Sequence, residues 1–467
     1  MAVIFWLFTV TLSAFSFITA NAAFRDPGFS VLYAQGDPGP GIGGYDLASA
    51  ADKSFGLDFS STGKQDHIVL YRPGAGAIFI LNPARQAVVG VIDPGSGFGG
   101  FDLSSPVDLA FAFDFGHTGN LDHIVFYRPG TGLITIVHAA TGTAVFTSQT
   151  GIGGYDLKSP SDIGLAFDYG STGKQDHLVF YRPGVGTIYI LAHNADNSFS
   201  AVYASSTGIG GFDLMSPVDR VFTLDYGDGH ADHLALYRPG TGIIFIVALE
   251  SDNSFSAVFT STTGIGGYDL LGVGDLAFGY DYDGIGTQNY IALYRPGTGA
   301  FWITQQNAPG SFVPVYAQGD PGTGIAGYDL ASPRDRAYAF DAQSLGLLNG
   351  IALYRPGTGA FWIAVHAPCY TPAFENLDAS IEATDFIGFI LTDTVEECLT
   401  SCTGDCNFVN VYHDNDASNK NDSTMLTCAF YASCHTAAEA TNSGGQSGSD
   451  GGVTTISSSA GYCLAGC

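Results

Sequence analysis

Tyr-Arg-Pro-Gly-Thr-Gly, at residues 127–132, is the hexapeptide that decides the fold of this chain, because five close copies of it recur at a nearly constant interval. The six copies begin at Tyr71, Tyr127, Tyr181, Tyr237, Tyr294 and Tyr354, at intervals of 56, 54, 56, 57 and 60 residues. A repeat of this length indicates one supersecondary unit copied along a rod or around an axis. It also bears on function, since catalysis normally needs one distinctive site, whereas near-equal copies indicate near-equal binding positions.

Each copy predicts four short strands. In the second copy these are the runs 109–113, 123–128, 133–137 and 144–147, with a polar loop at 114–122 after the first run. Pro-Gly-Thr-Gly predicts a tight turn between the second and third runs, because Pro presets φ and Gly supplies a positive φ. Four short strands in each copy, with no helical period, are typical of a β-propeller blade.

The two ends of the repeat region predict a closed ring. Residues 31–38, Val-Leu-Tyr-Ala-Gln-Gly-Asp-Pro, closely match residues 315–321, which form the fourth strand of their own copy. The last copy, which starts near Arg336, ends after its third strand at 361–365. The first strand of the chain would therefore complete the last copy and leave no unpaired blade edge. The sequence predicts an all-β, six-bladed β-propeller over residues 23–367.

Composition and the first residues predict an extracellular protein. The formal net charge of −28 disfavours nucleic acid and anionic membranes as partners. Residues 1–22 are apolar and end in Ala-Asn-Ala, which is typical of a secretory signal peptide; the alternative is a membrane anchor. No later stretch is apolar over the ~20 residues that a membrane helix needs. We therefore expect a secreted protein, extracellular or associated with the cell wall.

The cysteines mark a second domain over residues 368–467. All eight follow Pro368: Cys369, Cys398, Cys402, Cys406, Cys428, Cys434, Cys463 and Cys467. An even number in a secreted segment predicts a disulfide framework, and the sequence leaves all 105 pairings open. The Ser- and Gly-rich run 442–459 predicts a long loop, and Asn421-Asp-Ser423 is a glycosylation sequon.

Asp-rich loops between the first and second strands of the early copies are candidate calcium sites. Calcium takes ~6–8 oxygen ligands, and each loop offers two carboxylates with Ser and Thr hydroxyls nearby. The alternative is that the Asp residues cap the loop through its own backbone. In copies five and six, Asn289 and Asn349 replace the last Asp. The candidate ligands are Asp58, Ser60, Thr62, Asp66, Asp114, Thr118, Asp122, Asp168, Thr172 and Asp176.

The opposite face of the predicted ring carries candidate glycan-binding residues. Each connection between copies holds an aromatic residue followed by Asp, and each turn holds an Arg. An aromatic ring can stack on the apolar face of a sugar, while Asp and Arg can bind its hydroxyls. The alternative is an Arg–Asp pair that locks each blade to the next, with the aromatic ring in the core. The candidates are Tyr45, Asp46, Arg72, Phe101, Asp102, Arg128, Tyr155, Asp156, Arg182, Phe212, Asp213, Arg238, Tyr268, Asp269, Arg295, Tyr328, Asp329 and Arg355.

Two family resemblances extend these expectations. Gly-Gly-Phe-Asp-Leu at 99–103, followed by Phe-Asp-Phe-Gly-His-Thr-Gly-Asn-Leu-Asp-His-Ile-Val at 113–125, resembles the repeat of mushroom propeller lectins of the Psathyrella velutina lectin type. The Asp loops resemble the calcium loop of FG-GAP or VCBS repeats. These resemblances imply a fungal propeller with calcium in some loops. They also imply that N-acetylglucosamine-type or sialylated glycans are bound between blades.

Residues 368–467 are similar to a PAN/apple-like module. The stretch 396–410, with Cys398, Cys402 and Cys406, looks like the helix-then-strand signature of that family. The resemblance implies a small α+β domain with Cys428 on a strand and Cys369 joined to one of the last two cysteines. Such modules bind proteins or carbohydrates. The alternative is a cystine-rich cap that only stabilises the chain.

The function that these observations favour is a secreted, multivalent carbohydrate-binding protein acting on glycans or glycoproteins. One alternative is a polysaccharide-active hydrolase or lyase, which would need a carboxylate pair that breaks the repeat. The closest departures are Asp283 and the Asp335–Arg336 pair, and neither forms such a set. A second alternative is a structural or adhesive wall protein. We expect no catalytic residues.

Overall fold

The computed structural model describes residues 29–464, apart from short gaps at 84–86, 93–94, 96, 228, 367–369, 393–394, 403–405, 416–424 and 448–452. The predicted signal peptide (1–22), Asn421, Cys369 and Cys467 lie outside the described residues. No helix within the described part of the chain is long and apolar enough to cross a bilayer.

Six four-stranded antiparallel sheets contain the repeats. The chain starts with β1 (Phe29–Gln35). The first sheet is β2 (Lys53–Leu57), β3 (His67–Arg72), β4 (Ala77–Asn82) and β5 (Ala87–Ile92). The second is β6 (Leu109–Phe113), β7 (His123–Arg128), β8 (Leu133–His138) and β9 (Thr143–Ser148). The third is β10 (Ile163–Phe167), β11 (His177–Arg182), β12 (Thr187–His193) and β13 (Phe199–Ser205).

The remaining sheets repeat the same order. The fourth is β14 (Arg220–Leu224), β15 (His233–Arg238), β16 (Ile243–Leu249) and β17 (Phe255–Ser261). The fifth is β18 (Leu276–Tyr280), β19 (Tyr290–Arg295), β20 (Ala300–Ala308) and β21 (Ser311–Ala317). The sixth contains β22 (Arg336–Phe340), β23 (Gly350–Arg355) and β24 (Ala360–His366). The β-propeller architecture that the repeat predicts is confirmed.

The sixth sheet takes its fourth strand from the start of the chain. Its order is β1-β24-β23-β22, and β1 is antiparallel to β24. Ala34 lies opposite Trp362, and Phe29 lies opposite His366. Asp37, just after β1, forms an ion pair with Arg355 of the sixth copy. This is the pairing that the match between residues 31–38 and 315–321 predicts.

The tyrosine of every hexapeptide joins its sheet to the next one. Each hydroxyl oxygen accepts a hydrogen bond from a backbone N–H in the first strand of the following sheet. The pairs are Tyr71 with Ala110 (3.0 Å), Tyr127 with Gly164 (2.9 Å), Tyr181 with Val221 (3.2 Å), Tyr237 with Ala277 (3.0 Å), Tyr294 with Ala337 (2.9 Å) and Tyr354 with Ser54 (3.2 Å). The last pair returns to the first sheet. All six tyrosines are buried, which explains their recurrence.

The turn after each tyrosine makes a second link of the same kind. Gly74 donates its N–H to the carbonyl of Leu103, in the connection that precedes the second sheet (2.8 Å), and the bond recurs in every copy. In the sixth copy Gly357 donates to Leu47, before the first sheet (2.8 Å). Gly74 has a φ of 88°, in the left-handed region that favours glycine. Turns and connections therefore share one face, as the strand order predicts.

Residues 370–464 form a separate set of sheets. In chain order the elements are β25 (Tyr370–Leu377), β26 (Ser380–Ile381), β27 (Phe386–Thr392), α1 (Val395–Thr400), β28 (Phe408–Asn415), β29 (Leu426–Tyr431), β30 (Ala440–Asn442), β31 (Gly444–Ser447) and β32 (Val453–Leu464), with a 3-10 turn at Ala437–Glu439. The larger sheet has the order β25-β32-β28-β29-β27, with β31 paired to β32. Strands β26 and β30 pair separately.

The long loop expected at 442–459 is largely wrong. Strands β31 and β32 occupy most of its described residues. Thr454 and Ile456 are buried while Val453 and Thr455 are exposed, so the segment follows the alternation of a half-buried strand. The strand preference of its β-branched residues prevails over the loop preference of its Ser and Gly residues.

The disulfide framework is confirmed for six cysteines. Cys398 pairs with Cys428, Cys402 with Cys406, and Cys434 with Cys463. The first pair ties α1 to β29, so the helix and the strand cysteine that the PAN/apple resemblance implies are both present. Because Cys463 is bonded to Cys434, it is not the partner of Cys369.

Candidate functional site

The face that carries the connections and turns repeats one polar arrangement six times. We call each copy an Asp–Arg unit and the whole surface the Asp–Arg face. In the first copy the unit consists of Tyr45, Asp46, Asp52 and Arg72. The guanidinium of Arg72 binds Asp52 through Nε (2.7 Å) and Nη2 (2.8 Å), and also binds Asp46. The equivalent ion pairs are present in all six copies.

The two carboxylates of each unit differ in exposure. The side chain of the first, Asp46 in copy one, is 49–62 % exposed across the six copies. The side chain of the second, Asp52 in copy one, is 0 % exposed in every copy. A buried carboxylate needs a charged, hydrogen-bonded partner, and the bidentate Arg supplies it. Each unit therefore has an internal ion pair and an outer carboxylate that faces solvent.

The arginines and their carboxylates hold each other in the charged state. At Asp102, a backbone hydrogen bond from Ser104 and then the Arg128 guanidinium lower the pKa to about 2. For Arg128 the hydrogen bonds to the buried Asp108 raise the pKa further above its usual value. The outer carboxylates are therefore anionic acceptors at neutral pH.

The aromatic ring of each unit is buried, which corrects one expectation. The six rings are 1–4 % exposed: Tyr45, Phe101, Tyr155, Phe212, Tyr268 and Tyr328. The Arg guanidinium lies 5.3–5.5 Å from each ring centroid. In the third copy Phe180 stacks against Tyr155 (5.6 Å between centroids). These rings cannot stack on a sugar, because protein atoms cover them.

The Arg–Asp lock that we considered as the alternative is present, with one difference. Arg72 and its two carboxylates belong to the same copy, so the lock ties the incoming connection to its own sheet. In four copies the ring is tyrosine, and its hydroxyl donates to the buried carboxylate, as from Tyr45 to Asp52 (2.7 Å). On this face, the hexapeptide tyrosines and glycines link neighbouring sheets instead.

Sequence reasoning missed the buried carboxylates as a repeated set, and it took Asp335, which is the sixth member, for a departure from the repeat. They are Asp52, Asp108, Asp162, Asp219, Asp275 and Asp335. The signal was present, since each stands 20 residues before its arginine, or 19 in the fourth copy. Each also lies directly before the first strand of its sheet, and an Asp at that place is usually interpreted as a turn residue.

Sequence reasoning also missed a set of partly exposed aromatic rings at the third position of the third strand. They are Phe79, Tyr189, Phe245, Trp302 and Trp362; the second copy has Thr135 there. Each ring packs edge-on against the buried ring of its Asp–Arg unit, at 5.2–6.1 Å between centroids. An exposed glycine lies beside several of them, and a Cβ on Gly267 would be 3.0 Å from Trp302. Because glycine has no side chain, part of the neighbouring aromatic ring stays uncovered.

In the first three Asp loops the carboxylates already accept hydrogen bonds from the protein. In the third copy the carboxylate of Asp168 accepts the backbone N–H groups of Thr172 (2.9 Å) and Gly173 (2.7 Å). The last carboxylate, Asp176, is held by His177 (2.6 Å) and His117 (2.7 Å). Asp58 and Asp114 accept the same two backbone bonds as Asp168, while Asp66 and Asp122 contact His67 and His123.

No group of three His, Cys, Asp or Glu side chains in the described residues is placed to hold a metal ion. Thr62, Thr118 and Thr172 donate their own N–H to the first Asp of each loop, and Ser60 is exposed. Calcium would need ~6–8 oxygens that are free to converge. The turn-capping alternative describes these loops.

The loop of the fifth copy is different. Oxygen atoms of Asp283, Thr287 and Asn289 are buried there without a hydrogen-bond partner. Burial, followed by the neighbouring Asp283 carboxylate, raises the pKa of Asp281. Asn349 of the sixth copy is 2 % exposed, its Oδ1 has no partner, and its amide lies 3.5 Å from the position of a Cβ on Gly284. This loop therefore brings together several buried oxygen atoms that make no hydrogen bond within the protein.

Comparisons with known proteins identify no family. No family model and no curated protein matches the chain. Among solved structures, the β-propeller domain of Cps50 from Myceliophteria thermophila is 10 % identical with a TM-score of 0.37, covering 72 % of this chain and 99 % of that one. Regucalcin, a calcium-binding protein from Agrobacterium tumefaciens, is 12 % identical with a TM-score of 0.35, covering 67 % and 90 %. At these scores the assignment to the β-propellers depends on the sheets themselves.

Proposed function

We propose that the chain is a closed, six-bladed β-propeller, secreted from the cell, that binds arrayed glycans through six near-equivalent positions on its Asp–Arg face. The observation that carries this proposal is the sixfold repetition of an exposed carboxylate beside an arginine, which is partly exposed in five copies and buried in the sixth. We also propose that residues 368–467 form a separate disulfide-rich domain of the PAN/apple-like type.

The proposed contacts follow from the exposed groups. Each outer carboxylate, such as Asp46, accepts hydrogen bonds from sugar hydroxyls, and the partly exposed arginine beside it, such as Arg72, donates to ring or hydroxyl oxygens. The partly exposed ring of the third strand, such as Trp362, offers its surface to sugar C–H groups. Weak binding at single positions would be strengthened by several positions engaging one glycan-coated surface.

If the third-strand rings contact the glycan, the double variant Trp302→Thr with Trp362→Thr should bind glycans more weakly. Thr is the natural residue at this place in the second copy, as Thr135. Removing two of the five rings is expected to weaken retention on a glycan array by about tenfold or more, since avidity multiplies the loss at each position. The control is Phe259→Thr, which removes a partly buried ring from an outermost strand. Unchanged retention in the double variant would contradict the proposal.

Calcium is proposed for the fifth loop alone, with oxygens of Asp283, Thr287, Asn289 and Asn349 as ligands. Hard oxygen donors that lack protein partners are the groups that calcium prefers. We expect added calcium to raise the unfolding temperature of the wild-type chain and a chelator to reverse this rise. Asp283→Asn should abolish the effect, whereas Asp168→Asn in the third loop should not. A calcium response that survives Asp283→Asn would refute this assignment.

A further inference from the structure

A central cavity runs between the first strands of the sheets. Its volume is about 320 Å³, and its lining includes Phe55, Ala112, Ala166, Phe222 and Ala339, which belong to five of these strands. The lining is largely apolar. Each first strand begins directly after the buried carboxylate of its Asp–Arg unit, so the strand starts define the end of the cavity that lies toward the Asp–Arg face.

Three of the six first strands begin with a cation. They are Lys53 on β2, Arg220 on β14 and Arg336 on β22; the other three begin with Leu or Ile. Phe55, Phe222 and Tyr338, two residues further along, line the cavity. Two residues of strand span about 6.5 Å, so the cations stand within one side-chain length of the cavity. We call these three residues the basic channel end.

Arg336 connects the other two cations electrostatically, because its charge acts on Lys53 and on a tyrosine that Arg220 also reaches. Burial raises the pKa of Tyr294, and the guanidinium groups of Arg336 and Arg220 both oppose this rise. Arg220 acts in the same way on Tyr181 and Tyr237, so it lies near tyrosines of three successive sheets. Burial lowers the pKa of Lys53, and the Arg336 charge adds to that shift. The starts of β2, β14 and β22 place all three cations around one end of the cavity.

No carboxylate neutralises the basic channel end. The acids that precede the three cations in sequence are Asp52, Asp219 and Asp335, and each is bound to the arginine of its own Asp–Arg unit. Within the described residues, no carboxylate oxygen lies within 4.0 Å of a charged nitrogen of the three cations. The Nε of Arg220 is buried without a hydrogen-bond partner. Arg336 donates only to backbone carbonyls, of Pro333 and Asp335.

This arrangement is unusual for a chain with a net charge of −28. Six arginines belong to Asp–Arg units, yet three further cations stand at the same end of one cavity. Like charges in a partly desolvated site repel each other, and an anion placed between them would remove that cost. The six hexapeptide tyrosine hydroxyls accept backbone N–H bonds. The hydroxyl of Tyr294 also donates to the carbonyl of Ala337 (3.5 Å), and among the described residues the other five keep their protons available as donors.

We propose that the basic channel end is a binding site for a small oxyanion, held by Lys53, Arg220 and Arg336 on the axis of the propeller. Phosphate, sulfate and the carboxylate of an acidic sugar share this chemistry. The site is distinct from the six repeated positions, because it occurs once and its cations are the feature that breaks the repeat. It does not depend on the proposed glycan binding.

The test measures oxyanion binding to the full chain. In dilute, phosphate-free buffer, titrations with phosphate, sulfate and glucuronate are compared with chloride at the same ionic strength and with glucose. We expect at least one oxyanion to raise the unfolding temperature in a saturable way, whereas chloride and glucose do not. A preference for glucuronate over both inorganic ions would identify an acidic sugar as the ligand. Absence of a saturable response to all three oxyanions would overturn the proposal.

Variants separate the site from general charge effects. Arg220→Gln is expected to weaken the binding of the responding ion by at least tenfold, and Arg334→Gln, an exposed arginine near the same face, should leave it unchanged. Without added oxyanion, Arg220→Gln should also unfold at a temperature equal to or above that of wild type, since repulsion is relieved. If that variant does not fold, Lys53→Gln is measured in its place. Equal affinity in the cation variants and wild type would refute the site.

Discussion

A chain that lacks residues 29–40 is expected to lose its stable folded monomer. Strand β24 would then keep β23 but lose its outer partner along Phe361–His366, and Arg355 would lose its ion pair with Asp37. Phe29, which is 8 % exposed and packs on Tyr316 and His366, would be lost as well. Deleting one such aromatic side chain costs about 3–5 kcal/mol. We therefore expect the unfolding temperature to fall by at least about 10 °C.

The freed strand also predicts association. An unpaired edge with apolar side chains is a template for pairing with another chain. Size-exclusion chromatography with light scattering should show dimers or larger species for the deletion variant. A synthetic peptide of residues 29–40 should restore the monomer by taking the place of β1, and a scrambled peptide should not. A deletion variant that stays monomeric with an unchanged unfolding temperature would show that β1 does not close the ring.

The second large effect is expected from Arg182→Ala. This change leaves the carboxylate of Asp162, with 0 % side-chain exposure, without its cation. Breaking a buried pair by removing one partner typically costs about 3–5 kcal/mol. Denaturant unfolding should show a loss of that size in the free energy of unfolding. Asp156→Asn serves as the matched control, because its side chain is 49 % exposed and exposed pairs contribute about 1 kcal/mol or less.

A combined variant tests whether the loss comes from the stranded charge. Arg182→Met with Asp162→Leu and Tyr155→Phe removes the cation, the anion and the hydroxyl that donates to it. Phe is already present at the corresponding places, Phe101 and Phe212. Replacing a buried ion pair by apolar residues of similar volume is often neutral, so this variant should be more stable than Arg182→Ala. A triple variant that is less stable than the single one would contradict the explanation.

The fold could be predicted from the sequence because its signals are local and repeated. The second-copy strands predicted at 109–113, 123–128, 133–137 and 144–147 differ from the observed β6–β9 by at most one residue at an end. The pairing of β1 with β24 was predictable because residues 31–38 copy a fourth strand elsewhere in the chain. The C-terminal sheets were harder, since Ser and Gly conceal the alternation in Val453–Leu464.

The Asp–Arg face was predicted only in part, because the motif does not show how deeply each side chain is buried. Tyr45-Asp46 reads equally well as a sugar platform or as a ring covered by arginine. The choice depends on Asp52, which draws Arg72 inward over the ring. Likewise, whether an Asp loop holds calcium depends on which carboxylate oxygens the backbone already uses, and this is visible only in three dimensions.

The seam between β1 and β24 has a mechanical consequence. Because the two strands are antiparallel, the first residue of β1, Phe29, lies beside the last residue of β24, His366. These two residues are therefore at the same end of the seam. Tension applied to residues 29 and 366 would peel the backbone hydrogen bonds apart one after another instead of loading them all at once. The sixth sheet should therefore open at this seam at low force, while the other five sheets keep all of their strands.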